Sequence, residues 1–218
     1  MYNITLVCTH HSEYGKCNSD ELYKIIDSLR PDIIFEELPQ NLFDKFYKGN
    51  EIPYEPPEVK SVKRYIKDHT ISNFPVDIDV SNSLSVNQIK YMFSTFNKYA
   101  IYSKIEEDQK KMFFQEGYGF LNSKQNEELV EKKKSLEKSL IEIQINKDQL
   151  CRIHELFYQE QHNREDEIIK NIYNYSEQIA YNQGLLLLGS GHRKSIFEKM
   201  KKYKSESKVK LNWTLYGN

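Results

Sequence analysis

The sequence predicts an α/β protein: a small, mostly parallel sheet flanked by helices, with a long helical insertion between its third and fourth strands. Three observations carry this. Two β-prone apolar runs near the start, residues 4–8 and 32–35, are separated by a helix-length segment with apolar residues at helical spacing. A connection of that length between two buried strands is what a parallel βαβ unit requires. Residues 85–183 then lose the alternation and read as proline-free, charged, helix-spaced sequence. Finally, the α/β pattern resumes at Leu185-Leu186-Leu187-Leu188, apolar on both faces as a central strand of a covered sheet must be.

In chain order, Ile4-Thr5-Leu6-Val7-Cys8 is a strand ended by the polar Thr9-His10-His11-Ser12. Asn18-Ser19-Asp20-Glu21 offers N-cap chemistry, and Leu22, Ile25, Ile26 and Leu29 follow at helical spacing until Pro31 stops the helix. Asp32-Ile33-Ile34-Phe35-Glu36-Glu37 is a second strand running directly into two carboxylates. Gly49-Asn50, Pro53, Pro56 and Pro57 are punctuation. Val59, Val62, Tyr65 and Ile66 predict a helix ending near His69, and residues 74–80 read as a third strand with Asp77 and Asp79 toward its far end.

Inside the insertion, which breaks near Gly117-Tyr118-Gly119, Leu129, Leu136, Ile143, Leu150 and Phe157 stand seven apart and Leu140 reinforces the stripe. That spacing predicts a heptad seam between two or three long helices, packed within the domain or pairing two chains as a homodimer. Lys132-Lys133-Lys134 is surrounded by Glu127, Glu128, Glu131 and Glu137 and reads as a solvated helix face. After the central strand, Gly189-Ser190-Gly191-His192 turns into a helix carrying Ile196, Phe197 and Met200. Val209, Leu211, Trp213 and Leu215 then alternate with polar residues as an edge strand with one wet face. Residues 1–218 thus read as a single α/β domain, with 85–183 as the helical insertion.

Composition narrows the function classes. A chain of 218 residues can bury a core without disulfide or metal staples. Its net charge of −1 argues against a dedicated nucleic-acid binder. No apolar run reaches the roughly 18 to 20 residues of a membrane span, and the start lacks the pattern of a signal peptide. Cys8, Cys17 and Cys151 are an odd set without CxxC spacing. A soluble, reduced, cytoplasmic protein is expected.

In open parallel sheets function collects at the carboxyl ends of the strands. Here those ends carry His10 and His11, Glu36 and Glu37, Asp77 and Asp79, and His192. Imidazoles and carboxylates at four strand ends are what a divalent metal site or a general acid–base pair requires. Side chains alternate along a strand, so one of each adjacent pair should face a given cleft. The turn at Gly189 and Gly191 could place backbone N–H groups against an anion or cofactor; it is neither a GxSxG elbow nor a Walker A loop.

Taken together, these residues resemble the superfamily that joins the TraB/PrgY pheromone-shutdown proteins, the Tiki metalloproteases, the erythromycin esterases and the heme-binding ChaN proteins, with the TraB-like branch nearest. That superfamily has two GxxH motifs, an acid ending the second strand and an arginine before the second GxxH. Cys8-Thr9-His10-His11 stands in for the first motif, with cysteine for glycine, and points to His11. Pro31-Asp32-Ile33-Ile34-Phe35-Glu36-Glu37-Leu38 resembles the TraB strand and points to Glu37. His162-Asn163-Arg164-Glu165 resembles the helix with the family arginine, Arg164, and Gly189-Ser190-Gly191-His192 is a full GxxH. The acid of the TraB middle strand falls on Asp79. The match covers residues 3–38 and roughly 162–204.

The resemblance implies a metal-assisted hydrolase acting on a peptide, ester or similar carbonyl substrate. His11 and His192 would ligate a divalent ion, Glu37 would complete the coordination or activate water, and Arg164 would hold the substrate or the developing oxyanion. Tiki suggests manganese or cobalt; a His/carboxylate set by itself equally admits zinc or iron. The erythromycin-esterase branch implies a metal-free variant in which His11 and Glu37 do acid–base work. The ChaN and TraB/PrgY branches imply instead a non-catalytic binding protein for heme, another small ligand or a peptide signal.

Overall fold

The structure, a computed structural model, describes residues 1–49, 54–79, 84–206 and 209–217; the sequence readings of Asn50, Pro53 and Val80 fall outside them. The elements are β1 (Tyr2–Thr9), α1 (Ser19–Leu29), β2 (Ile33–Glu36), α2 (Gln40–Lys48), α3 (Pro57–Asp68), β3 (Ser72–Pro75), α4 (Val86–Phe96), α5 (Ala100–Glu116), α6 (Tyr118–Leu121), α7 (Lys124–Glu142), α8 (Lys147–Gln178), β4 (Gln183–Gly189), a short 3₁₀ turn (Ser190–His192), α9 (Arg193–Glu206) and β5 (Leu211–Leu215). The five strands pair in parallel in the order β3-β2-β4-β1-β5.

The central strand is the leucine run. Leu186 and Leu188 pack with Ile168, Ile169 and Ile172 of α8 and with Ile196 and Met200 of α9. Leu185 and Leu187 pack on the other face with Leu22 and Ile26 of α1 and Val62 and Tyr65 of α3. Both faces are therefore dry, which is why this strand lacks alternation. Its register, Thr9 opposite Gly189 and Glu36 opposite Leu187, brings the carboxyl ends of β1, β2 and β4 side by side.

Local signals act as expected around α1. Asn18 caps it by accepting from the Glu21 N–H at 3.0 Å, and Arg30 closes it in the left-handed region at φ 46° just before Pro31. Elsewhere the structure differs from the sequence reading. α2 follows Pro39 and has no counterpart in that reading; of its residues only Phe43 is buried, so its apolar stripe is thin. The third strand ends at Pro75 rather than continuing to residue 80. Beyond it the chain still follows β2, with Val76 N–H on Glu36 O at 3.0 Å and Asp77 N–H on Leu38 O at 3.2 Å, before turning away.

The helical insertion is in place between β3 and β4, built of α4 to α8, and Gly117 at φ 62° ends α5 where the sequence marks a break. The heptad seam is corrected. Ile143 caps the end of α7 and is 65% exposed, because the chain reverses between α7 and α8. The two helices lie antiparallel, with Glu137 facing His154 and Tyr158, so the repeat cannot run through the turn. Leu140, Ile141, Leu150 and Ile153 form the buried contact instead, with Leu136 and Phe157 at its margin.

Candidate functional site

Three strand ends and one helix build the site. His11 follows β1, Glu37 follows β2, His192 closes the turn after β4, and Arg164 projects from α8. The Glu37 carboxylate lies between the two imidazoles: His11 Nε2 is 4.0 Å from its Oε2, and His192 Nε2 is 3.6 Å from its Oε1. The same two oxygens accept from the Gly189 N–H at 2.6 Å and from Arg164 Nη2 at 2.7 Å. A carboxylate oxygen has two lone pairs, so each keeps one for the imidazole side. Of the adjacent acids, Glu36 turns elsewhere and accepts from Tyr47 Oη and Asn73 Nδ2, both at 2.8 Å. Of the adjacent histidines, His10 bonds locally to Ser12 and packs on Phe113 instead.

Each imidazole is oriented by a buried carboxylate that carries no sequence signature. His11 Nδ1 is 3.0 Å from Glu58 Oε1 on α3, and His192 Nδ1 is 2.7 Å from Glu165 Oε1 on α8. A carboxylate only accepts, so both Nδ1 atoms carry the proton and both Nε2 atoms are turned toward Glu37. Glu58 and Glu165 are 8% and 3% exposed. The Glu58 hydrogen bond, working against burial, pushes His11 up to about 9. Burial raises Glu58 and Glu165, but their imidazole partners win and hold both below the usual carboxylate value. Glu58 was missed because nothing local distinguishes a glutamate beside two prolines at a helix start, and Glu165 because it sits in an acidic run.

Asp77, not Asp79, is the third-strand acid at the site. It takes Arg164 Nε at 3.2 Å and Nη2 at 2.6 Å, while Asp79 is exposed. Arg164 Nη1 donates to Gln161 at 3.0 Å. The guanidinium thus spends most of its donors on Asp77 and one on Glu37, and among the described residues one Nη1 N–H is left over. Burial opposes its charge, but Asp77 and Glu37 hold it still more firmly protonated than usual.

Gly189 and Gly191 separate in role. A Cβ on Gly189 would lie 3.3 Å from Glu37 Oε2, 3.3 Å from His11 Nε2 and 3.7 Å from His192, in the space the three groups enclose. Its N–H already serves an anion, the Glu37 carboxylate. A Cβ on Gly191 would meet nothing within 4 Å, and its φ is not positive, so neither clearance nor backbone demands glycine there. Cys8, at the place of the first motif's glycine, points into the core cluster, where burial pushes its thiol up to about 12. Its N–H and C=O are taken by the Asn122 side chain at 2.7 and 3.0 Å, so the substitution does not crowd the site.

Charge limits what the arrangement can do. Four carboxylates, Glu37, Glu58, Asp77 and Glu165, converge on one guanidinium and two imidazoles. Lys199 lies 3.6 Å from Glu165 but closer, at 2.8 Å, to Asp166. With neutral imidazoles the set carries excess negative charge, most of which one divalent cation or two imidazolium protons would offset. The charge of the site admits a divalent ion, but among the described residues no three His, Cys, Asp or Glu side chains stand close enough to hold one as placed. The spacings to Glu37 exceed the roughly 3.4 Å edge of a closed tetrahedral shell with 2.0 to 2.1 Å bonds.

The fold and site define an α/β protein with a two-imidazole, one-carboxylate centre at the carboxyl edge of a parallel sheet. Comparisons of the chain with protein-family models, with curated proteins and with solved structures find no match. No helix among the described residues is long and apolar enough to cross a membrane.

Proposed function

We propose that this protein is a metal-assisted hydrolase of an ester, peptide or similar carbonyl substrate. The observation that carries it is the orientation of His11 and His192: each gives its Nδ1 proton to a buried glutamate and turns its Nε2 toward Glu37. A carboxylate–imidazole pair of this kind fixes the tautomer that a metal ligand needs. The resemblance to Tiki and TraB proteins supports the same reading. His11 and His192 would hold the ion, with manganese, cobalt, zinc and iron all compatible with these donors. Bound there, a divalent ion would supply an acidified water and polarise the substrate carbonyl.

The chain's own residues do the rest. Glu37, held on both oxygens and facing the imidazoles, accepts the proton of the attacking water through its remaining lone pairs. Its spacing from both Nε2 atoms favours this base role over a place in the ligand shell. Arg164 positions Glu37, and its last N–H is available to a developing oxyanion. Gly189 keeps open the volume into which a carbonyl carbon must come.

One observation favours a second reading. His11 at about 9 is an imidazolium at neutral pH when no metal is present. A metal-free hydrolase would then use His11 as the acid and Glu37 as the base, as the erythromycin-esterase branch implies. Hydrolysis of p-nitrophenyl acetate and of a fluorogenic peptide, with and without each ion, tests both. Activity that needs added metal and is lost in Glu37→Gln supports the first. Activity indifferent to chelators supports the second, and no hydrolysis by either substrate would leave a binding protein.

A further inference from the structure

His192 has a second neighbourhood. Together with Ser190, Gly191 and Glu165 it borders a cleft of about 820 Å³ whose remaining walls come from His10 after β1 and from α4, α5, α7, α8 and α9. That volume lies in the range of pockets that enclose small organic ligands. The helical insertion lines most of it, so the sheet supplies the reacting groups and the insertion supplies the room.

The lining has a definite chemistry. Phe93 and Phe157 meet edge to face at 5.4 Å, Tyr158 packs on Phe157 at 5.2 Å, and Phe113 and Tyr102 also border the space. The inner charges around it are spent on one another, while the exposed Lys110, Lys138 and Glu198, of mixed sign, stand at its border. Lys133 pairs with Glu106, and Lys134 and Lys194 both pair with Glu131. The buried Glu137 accepts from Tyr102 Oη at 2.9 Å and Tyr158 Oη at 2.7 Å and meets His154 Nε2 at 3.2 Å. A charged ligand would have to break such pairs and leave a partner uncompensated. An uncharged one would leave them intact and cover the aromatic rings.

We infer that this cleft binds the body of the substrate, and that this body is uncharged and apolar or aromatic, with its reactive carbonyl reaching past His192. That the occupant is a substrate rests on the hydrolase reading above; that the cleft binds such a molecule does not. Specificity then belongs to Phe93, Phe157 and Tyr158 of the insertion rather than to the sheet edge.

Two dyes with the same rings test the charge and the place. N-phenyl-naphthylamine is neutral, and anilinonaphthalene sulfonate adds one negative charge to it. Titrated fluorometrically, the neutral dye should bind one per chain, about tenfold or more tighter than the sulfonate. Ser135→Trp and Lys138→Trp change exposed residues that border the cleft, and each should weaken the neutral dye about tenfold without lowering the unfolding midpoint. Ile145→Ser, at the exposed α7–α8 turn, should leave binding unchanged. The neutral dye should also inhibit any ester hydrolysis competitively. Equal or tighter binding of the sulfonate, or dye binding that ignores both tryptophans, would overturn the inference. Hydrolysis failing in protein that still binds the dye in the cleft would count against the hydrolase reading alone.

Discussion

Arg164 and Glu37 lie 127 positions apart in the chain and meet with Nη2 2.7 Å from Oε1. The same Nη2, together with Nε, also donates to Asp77, at 2.6 and 3.2 Å. Both acids are buried, with side chains 6% and 3% exposed, and the arginine supplies the opposite charge between them. The guanidinium therefore ties the ends of β2 and β3 to α8, and structure and chemistry depend on one contact.

Arg164→Ala should accordingly cost about 3 kcal/mol in urea unfolding, because it strands two buried carboxylates. Arg164→Lys should recover only part of this, since an ammonium cannot span both acids in a planar fork. Metal binding by the imidazoles should survive Arg164→Ala while turnover falls. An alanine variant as stable as the parent would show that the carboxylates do not depend on it.

His11 should titrate near pH 9 in metal-free protein, read by its ring proton shifts, and Glu58→Gln should return it toward the usual 6.5. The sign follows from linkage. His11 is raised on folding, so its contribution is complete below pH 6.5 and is lost as pH rises through about 9. Glu58 is lowered, so its contribution is complete above pH 4.5 and is lost as pH falls below that. The pair should therefore stabilise the fold most between those limits. Identical His11 titration in parent and Glu58→Gln protein would dissolve the pairing.

Glu36 is pushed from 4.5 up to about 7 by burial, against the hydrogen bonds of Asn73 and Tyr47. A raised acid gives stability that is complete below pH 4.5 and lost as pH rises through about 7. Relative to Glu36→Gln, the parent should lose on the order of 3 kcal/mol between about pH 4.5 and pH 8. Parallel stability curves for the two proteins would mean that Glu36 is ionised without penalty.

In the helical hairpin, Leu150→Ala should cost roughly 2 to 5 kcal/mol, as expected for a fully buried leucine. Ile143→Lys should change stability by no more than about 0.5 kcal/mol, since that side chain is 65% exposed. Sedimentation of both variants at the parent's mass would fit an intrachain hairpin. A dimer that Ile143→Lys dissociates would instead make the exposed turn an interface.

The parts of this architecture legible in the sequence are those written locally. The leucine run, the Asn18 cap and the carboxylates ending β2 each follow from a few adjacent residues. The heptad stripe misled because counting by seven does not see a chain reversal, and the turn at Ile143 breaks the phase. Of the site, His11, Glu37, Arg164 and His192 were singled out in advance and are brought together here. Glu58 and Glu165 carry no such signal, because an acid that orients another side chain is recognised only by what it touches; of the strand-end pair Asp77 and Asp79, the resemblance points to Asp79 and the structure uses Asp77. Long-range pairs such as His11 with Glu58 leave no trace in composition or spacing.

Gly189→Ala is the mildest way to disturb the centre. Its methyl group would enter the space between His11, Glu37 and His192, 3.3 Å from the first two, close enough to make them shift by a few tenths of an ångström. The variant should fold with nearly parental stability yet lose metal affinity and activity. Retention of both would show that the enclosed space is not used.

The most direct measurement is a calorimetric titration of chelator-stripped protein with manganese, cobalt, zinc and iron(II). At least one of these should bind at one ion per chain, and the affinity should fall as pH drops through about 9, because binding must displace the proton of His11. His11→Ala and His192→Ala should abolish it, and Arg164→Ala should not. Protein that takes up none of the four ions across that pH range would contradict the metal-assisted centre.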